Sequence, residues 1–184
     1  MMTAVSVLMG TFNEKKTVVA QAIDSILHQT FTDFEFIICD DGSKSDFYHW
    51  LKIYCQKDRR IRLLRNKKNQ GLAAVLNQCL KSAAGDYIAR MDADDVSDQE
   101  RLAKQYAFLE SHPEYALVGC HVRMIANEKT WGVRILEKEP DKYSFLKTSP
   151  FVHPAVMIRK DVMEELGGLN MSFVRSYYAK PEKN

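Results

Sequence analysis

No apolar run in this sequence approaches the roughly 20 residues a helix needs to cross a bilayer, and Val5-Ser6-Val7-Leu8-Met9 is typical of the short runs present. The N-terminus carries no basic segment followed by a signal-like apolar stretch, so a cytoplasmic protein is expected. An excess of either charge is missing too. The 26 Lys and Arg against 24 Asp and Glu leave a net charge of +2, which gives no diffuse basic field for nucleic acid and no acidic excess for disorder. Cysteine is sparse: Cys39, Cys55, Cys79 and Cys120 form no close pair, which argues against a disulfide framework or a zinc site and for packed thiols. Internal repeats, low-complexity tracts and Gly/Ser linkers are also absent, so one domain is expected from 184 residues of 46% hydrophobic content.

Two phosphate-binding signatures are missing as well. Gly10-Thr11-Phe12-Asn13-Glu14 is not the Gly-rich fingerprint that follows the first strand of an NAD-type Rossmann enzyme, and no Gly-x-x-x-x-Gly-Lys-Ser/Thr loop occurs. Phosphate, if bound, is then better held through a metal ion.

What is present is an alternation of elements. The short β-branched run Ala4 to Met9 predicts a buried strand, and the apolar spacing of Val18, Val19, Ala22, Ile23, Ile26 and Leu27 predicts a helix from Thr17 to Leu27. The pattern repeats as strand Phe34 to Cys39, helix Phe47 to Cys55, strand Ile61 to Leu64, helix Leu72 to Ala84, strand Tyr87 to Met91 and helix Arg101 to Ser111. Such alternation predicts an α/β fold: a mainly parallel central sheet with right-handed crossovers and helices on both faces. Beyond residue 115 the pattern is less regular. Leu117 to Ile125 and Ala155 to Ile158 read as strands, and Trp131 to Leu136 as an edge strand, together a mixed-sheet extension.

In parallel sheets of this kind ligands sit outside the carboxyl ends of the strands. The residues expected there are polar: Thr11, Asn13 and Glu14 after the first strand, Asp40 and Asp41 after the second, Asp92, Asp94 and Asp95 after the fourth. Three carboxylates in four residues repel one another unless a cation or donors compensate. Mg²⁺ or Mn²⁺ suits this role, because a hard ion often takes one or two carboxylates and completes its shell with water and phosphate oxygens. Read singly, each cluster is also an ordinary turn or cap: Asp40-Asp41-Gly42-Ser43 as a tight turn, and Ser97 or Asp98 as the cap of a helix starting near Gln99. The basic stretch Arg59, Arg60, Arg62, Arg65, Lys67 and Lys68 reads as solvated charge.

Taken together, the motifs resemble the inverting nucleotide-sugar glycosyltransferases of the large bacterial family 2 type, with the GT-A fold. The resemblance is carried by Val5 to Glu14, Ser25-Ile26-Leu27-His28-Gln29-Thr30-Phe31, Asp33 to Ser43, Asn69-Gln70-Gly71-Leu72-Ala73, Asn77, Ala84 to Asp95, and His153 to Arg159, in an order and spacing covering residues 3 to 170. It implies a nucleotide-sugar-binding core over about 3–115 and a partial acceptor-side region over about 116–176. Thr11, Asn13, Glu14, Asp40 and Gly71 would line the donor pocket, with Asp41 on the base, most often uracil. Asp92 would approach the ribose or sugar, and Asp94, with Asp92 beside it, would hold Mn²⁺ or Mg²⁺. His153 would stand near the donor phosphates or the acceptor. The implied partners are a nucleotide-sugar donor and a glycan or lipid-linked acceptor of polysaccharide or capsule biosynthesis, with no nucleic acid. Charge does not say whether the chain meets a membrane surface.

The sequence then departs from the family pattern. After Gly167-Gly168-Leu169-Asn170 and Phe173 the family continues into a Glu-Asp pair whose Asp is the expected general base, whereas this chain reads Arg175-Ser176-Tyr177-Tyr178-Ala179-Lys180. Glu164 and Glu165 read as solvated charges on a short helix. A C-terminally truncated member is therefore expected, with uncovered apolar surface that promotes self-association. A non-catalytic nucleotide-sugar-binding module is the alternative. A nucleotidyltransferase, which would carry a Gly-rich activating loop, ranks last.

Overall fold

The computed structural model describes residues 3–126, 129–141, 143–147 and 149–169. Its main sheet has six strands: β1 (Val5–Thr11), β2 (Phe34–Asp40), β3 (Ile61–Arg65), β4 (Tyr87–Asp92), β5 (Leu117–Val118) and β8 (Met157–Arg159), in the order β3-β2-β1-β4-β8-β5. The first four are parallel, while β8 runs antiparallel to both β4 and β5. Strands β6 (Val122–Ala126) and β7 (Lys129–Arg134) form a separate antiparallel ribbon.

Every residue of β1 and β2 is buried, as a strand covered on both faces requires. One face packs against α1 (Lys16–Leu27), α2 (Ser45–Cys55) and α4 (Arg101–Ser111), where Val7, Met9, Phe36 and Ile38 meet Val19, Ile23, Ile26, Leu51 and Leu102. The other packs against α3 (Leu72–Ser82), where Leu8, Ile37 and Ile88 meet Val75, Leu76 and Cys79. Val162 and Met163 of α6 (Lys160–Glu165) close its margin. A four-residue helix, α5 (Ser144–Lys147), lies in the extension. Among the described residues no helix is long and apolar enough to cross a membrane.

The parallel core follows the expected elements, each within a few residues of its expected ends. The extension differs in one respect. The single strand expected over Leu117 to Ile125 is two: β5 joins the main sheet, whereas β6 leaves it for the ribbon, with Gly119, Cys120 and His121 between. The expected edge strand at Trp131 pairs with β6 rather than with the main sheet. Ala155 closes a 3-10 turn, His153–Ala155, instead of opening a strand.

The basic stretch is largely exposed, as expected, but part of it also pairs with the fold. Arg60 binds Asp58 and the Leu27 carbonyl, Arg62 pairs with Glu35 at 3.0 Å, and Arg65 lies 3.7 Å above the Tyr48 ring. Arg62 and Arg65 stay exposed despite these contacts, as do Arg59, Lys67 and Lys68, and only Arg60 is half-buried. Glu164 and Glu165 are exposed on α6 as expected, and all four cysteines are free thiols.

Candidate functional site

Strands β1, β2 and β4 end side by side: Thr11 is in register with Asp40, and Gly10 with Asp92. The chain runs outward from β1 through β2 to β3 and then returns to the other side of β1 with β4, so β1 and β4 flank the topological switch point where such sheets open a crevice.

The loops above these ends are tied together by side chains. Glu14 accepts hydrogen bonds from Thr11 Oγ1 at 2.5 Å and Phe12 N at 2.6 Å, which fixes the turn after β1. Asn13 has a left-handed backbone with φ 57°. It clasps the loop after β2 in both directions, its N–H donating to Ser43 Oγ at 3.0 Å and its Oδ1 accepting from Lys44 N at 2.9 Å. Gly42, at φ 79°, passes so close to the loop after β3 that a Cβ there would lie 2.7 Å from the Lys68 backbone. A side chain at Gly42 would therefore push the two loops apart.

The two neighbouring acids of β2 have different surroundings. Asp41 accepts from Asn66 Nδ2 at 2.8 Å, from Gln70 N at 3.0 Å and from Gly71 N at 2.9 Å, so its carboxylate organises the loop leading into α3. Asp40 is fully buried, and neither of its oxygens makes a hydrogen bond; Arg65 Nε stands 3.3 Å away as its counter-charge. Gly71, the N-cap of α3 at φ 88°, faces open space on the side where a Cβ would project.

On β4 the acidic turn sits over two buried arginines. Arg90 Nη1 lies 2.6 Å from Asp92 Oδ1, yet neither Nη1 nor Nε makes an aligned hydrogen bond. Arg101 is buried at the start of α4, with Nη2 donating to the Arg90 carbonyl at 2.7 Å and Nη1 to the Pro154 carbonyl at 3.3 Å. Asp94 and Asp95 are exposed. Surrounding protein atoms, and then the carboxylates of Asp92 and Asp94, push the Asp95 carboxyl above its ordinary pKa. Among the described residues no three His, Cys, Asp or Glu side chains converge into a ready cage for a metal. The donor set nonetheless suits a hard ion held by one or two carboxylates, with water and phosphate oxygens completing the shell.

His153 opens the 3-10 turn beside this group. Its side chain is exposed outward, while protein atoms on its inner side and the Arg90 charge lower its pKa against the opposing pull of Asp92. Thus Thr11, Asn13, Glu14, Asp40, Asp41 and Gly71 share the β1–β2 side of the edge, and Asp92, Asp94 and His153 its β4 side. The position expected for the general base falls in residues 170–184, outside the described residues.

Three residues have a place in the site although the sequence alone gives them no role. Arg90 and Arg101 look like ordinary surface bases in a linear sequence, although Arg90 lies on a strand of otherwise buried residues. Gln29, also buried, donates to the Asp98 carbonyl at 2.6 Å and accepts from Leu102 N at 2.9 Å, supplying the cap of α4 that was expected of Ser97 or Asp98. Its signal is the Gln29-Thr30 pair that follows the first helix.

The chain is similar in sequence and in fold to known glycosyltransferases. A sequence profile described as glycosyl transferase family 2 matches residues 6–167. The putative glycosyltransferase EpsE of Bacillus subtilis is 42% identical over 165 residues, covering 89% of this chain and 59% of EpsE. The O-antigen biosynthesis glycosyltransferase WbnJ of Escherichia coli is 36% identical over 164 residues, covering 86% of this chain and 63% of WbnJ. The chain thus spans about three fifths of the length of these relatives. Among solved structures, the mannosyltransferase PcManGT from Pyrobaculum calidifontis, in complex with GDP-Man and Mn²⁺, matches with a TM-score of 0.68 at 20% identity, over 89% of this chain and 46% of that one. TarS of S. aureus in complex with UDP-GlcNAc matches with a TM-score of 0.66 at 21% identity, over 89% and 47% of the two chains.

Proposed function

Because the chain belongs to glycosyl transferase family 2 and has a GT-A-like fold, we propose that it binds a nucleoside-diphosphate sugar, UDP-linked, and serves transfer of the sugar with inversion to a hydroxyl of a glycan or lipid-linked acceptor in polysaccharide biosynthesis. The observation that carries this reading is the meeting of three polar strand ends at the β1/β4 switch point.

Each residue then has a task. Thr11, Asn13 and Glu14 fix one wall of the donor pocket, and Asp41 holds the opposite loop in place. Asp41 already accepts from Asn66, from Gly71 and from a Gln70 N–H shared between both oxygens, so a base N–H would compete for the acceptor capacity that Gln70 spans. Asp40 has the unspent acceptors, behind Arg65. The open side of Gly71 lets a ligand approach the backbone. Asp94, with Asp92, would hold Mn²⁺ or Mg²⁺, which when bound neutralises charge on the departing nucleoside diphosphate. His153, with its lowered pKa, is neutral at pH 7 and still donates one ring N–H to a phosphate or to the acceptor.

Calorimetric titration of UDP into the chain with Mn²⁺, with EDTA and with Asp94→Ala tests this reading. Metal-dependent binding that the variant loses is the expected result. Absence of binding to UDP, GDP and TDP under every condition overturns it.

A second reading, a non-catalytic nucleotide-sugar-binding module, is favoured by one observation: no Asp or Glu lies between Glu165 and Glu182, where the base is expected. An absent base costs about a hundredfold to ten-thousandfold in rate. Donor binding with no consumption of a UDP-sugar in the presence of candidate acceptors selects this reading.

We further propose that the protein acts in the cytoplasm and that it self-associates through the ribbon. Ile125, Trp131, Val133 and Ile135 there are all more than half exposed. Sedimentation velocity over a concentration series decides the matter, and a monomer at every concentration rejects it.

A further inference from the structure

The Arg90 side chain is only 5% exposed, and two of its nitrogens lack an aligned acceptor although Nη1 is 2.6 Å from Asp92 Oδ1. A guanidinium is always charged, and burying it with donors unspent is costly unless another state of the molecule uses them. The main chain of this residue is firmly held: its N–H donates to the Val156 carbonyl at 3.0 Å, and its carbonyl accepts from Arg101 at 2.7 Å. Only the tip of the side chain has freedom to choose a partner. Its place is also specific, since it reaches Asp92 on one side and its charge acts on His153 and Asp95 on the others.

We propose that Arg90 is a donor-contacting residue that pairs with Asp92 when no divalent ion is bound, and turns to the diphosphate of the donor when the ion takes Asp92. The inference rests on the donor-site reading above and adds to it a cation from the protein itself. Arg90 and the divalent ion compete for the same carboxylate, so in the absence of nucleotide the arginine weakens ion binding. Once a nucleoside diphosphate is present the two cations have separate anions, and the same arginine strengthens binding. A residue that merely props up the strand would move both affinities in one direction.

The experiment is calorimetry on the full chain with MnCl₂ alone, and with UDP and GDP at saturating Mn²⁺, for the wild type, Arg90→Met and Arg90→Lys. Arg90→Met is expected to bind Mn²⁺ more tightly and the nucleoside diphosphate at least about tenfold more weakly, the loss of a charge-assisted hydrogen bond. Arg90→Lys keeps the charge and is expected to fall between the two on both measurements. It also answers for the site if the methionine variant does not fold. Unchanged or weaker Mn²⁺ binding in folded variants overturns the proposal while leaving the donor site standing, as does undiminished nucleotide binding. A wild type that binds neither nucleotide overturns the donor-site reading and this inference with it.

Discussion

Arg101 and Pro154 are 53 residues apart in sequence, yet the Arg101 guanidinium donates to the Pro154 carbonyl at 3.3 Å while holding the Arg90 carbonyl at 2.7 Å. One buried side chain therefore fixes the spacing between the acidic end of β4 and the turn that presents His153. Gln105, one turn further along α4, reinforces it by donating to the Ala155 carbonyl at 2.9 Å.

Arg101→Met should accordingly destabilise the protein by about 1–3 kcal/mol, because the buried Arg90 carbonyl and the half-buried Pro154 carbonyl lose their donor. Urea unfolding monitored by tryptophan fluorescence measures this. An effect below about 0.5 kcal/mol, the range of an ordinary surface substitution, would refute the bridging role.

Gln29→Ala should cost about 1–3 kcal/mol, since the Leu102 N–H at the start of α4 loses its acceptor and the Asp98 carbonyl its donor. Gln29→Glu sets a buried carboxylate oxygen against the Asp98 and Ser25 carbonyls, and should be at least as destabilising as Gln29→Ala at pH 7. Thermal unfolding of the two variants side by side gives the comparison.

The stability of the fold should decline in acid through Glu35. Burial by itself would raise this carboxyl, but hydrogen bonds from Ala84 N, Ser6 Oγ and Arg62 hold it below its ordinary pKa. A depressed pKa in the folded state gives stability that is present above the unfolded value, near 4.3, and is lost as pH falls through the folded one. Glu35→Gln should be less stable than the wild type at pH 7, and the gap should close as the solution is acidified below about pH 4.

Divalent ions should stabilise the chain at neutral pH by relieving the repulsion among Asp92, Asp94 and Asp95. At about a hundred times its Kd, Mn²⁺ adds about 2.7 kcal/mol if it binds only the folded state. Differential scanning fluorimetry with Mn²⁺, Mg²⁺ and EDTA checks this, and Asp94→Ala should abolish the shift. An equal shift in that variant would place the ion elsewhere.

Much of this architecture could be read from the residues in order. The helix expected over Arg101 to Ser111 is observed with those bounds, because its apolar stripe and the polar residues before it leave little freedom in where it starts. The meeting of Thr11, Asp40 and Asp92 at one edge followed from the alternation of strands and helices. What could not be read was which partner each polar group would choose. Period-two patterning marks Leu117 to Ile125 as extended without saying that Gly119 to His121 hands the chain from one sheet to another. Asp40 and Asp41 are adjacent and chemically identical, yet one accepts from three donors of a neighbouring loop and the other has no hydrogen bond, only the Arg65 charge 3.3 Å away. A buried arginine has no signature of its own, since its partners, such as Arg90 and Pro154 for Arg101, come from segments distant in sequence.

The position of β8 between β4 and β5 has a consequence for biosynthesis. As the chain leaves the ribosome, the parallel strands β3, β2, β1 and β4 can pair in sequence, but the outer edge of β4 has no partner until residues 157–159 emerge about 65 residues later. Until then its unpaired N–H and C=O groups are open to any other strand, and β5, made earlier, has nowhere to dock. The strand that brings His153 to the acidic turn is thus also the one that covers the outer edge of β4, so interruption of synthesis before it should yield a product more prone to aggregation.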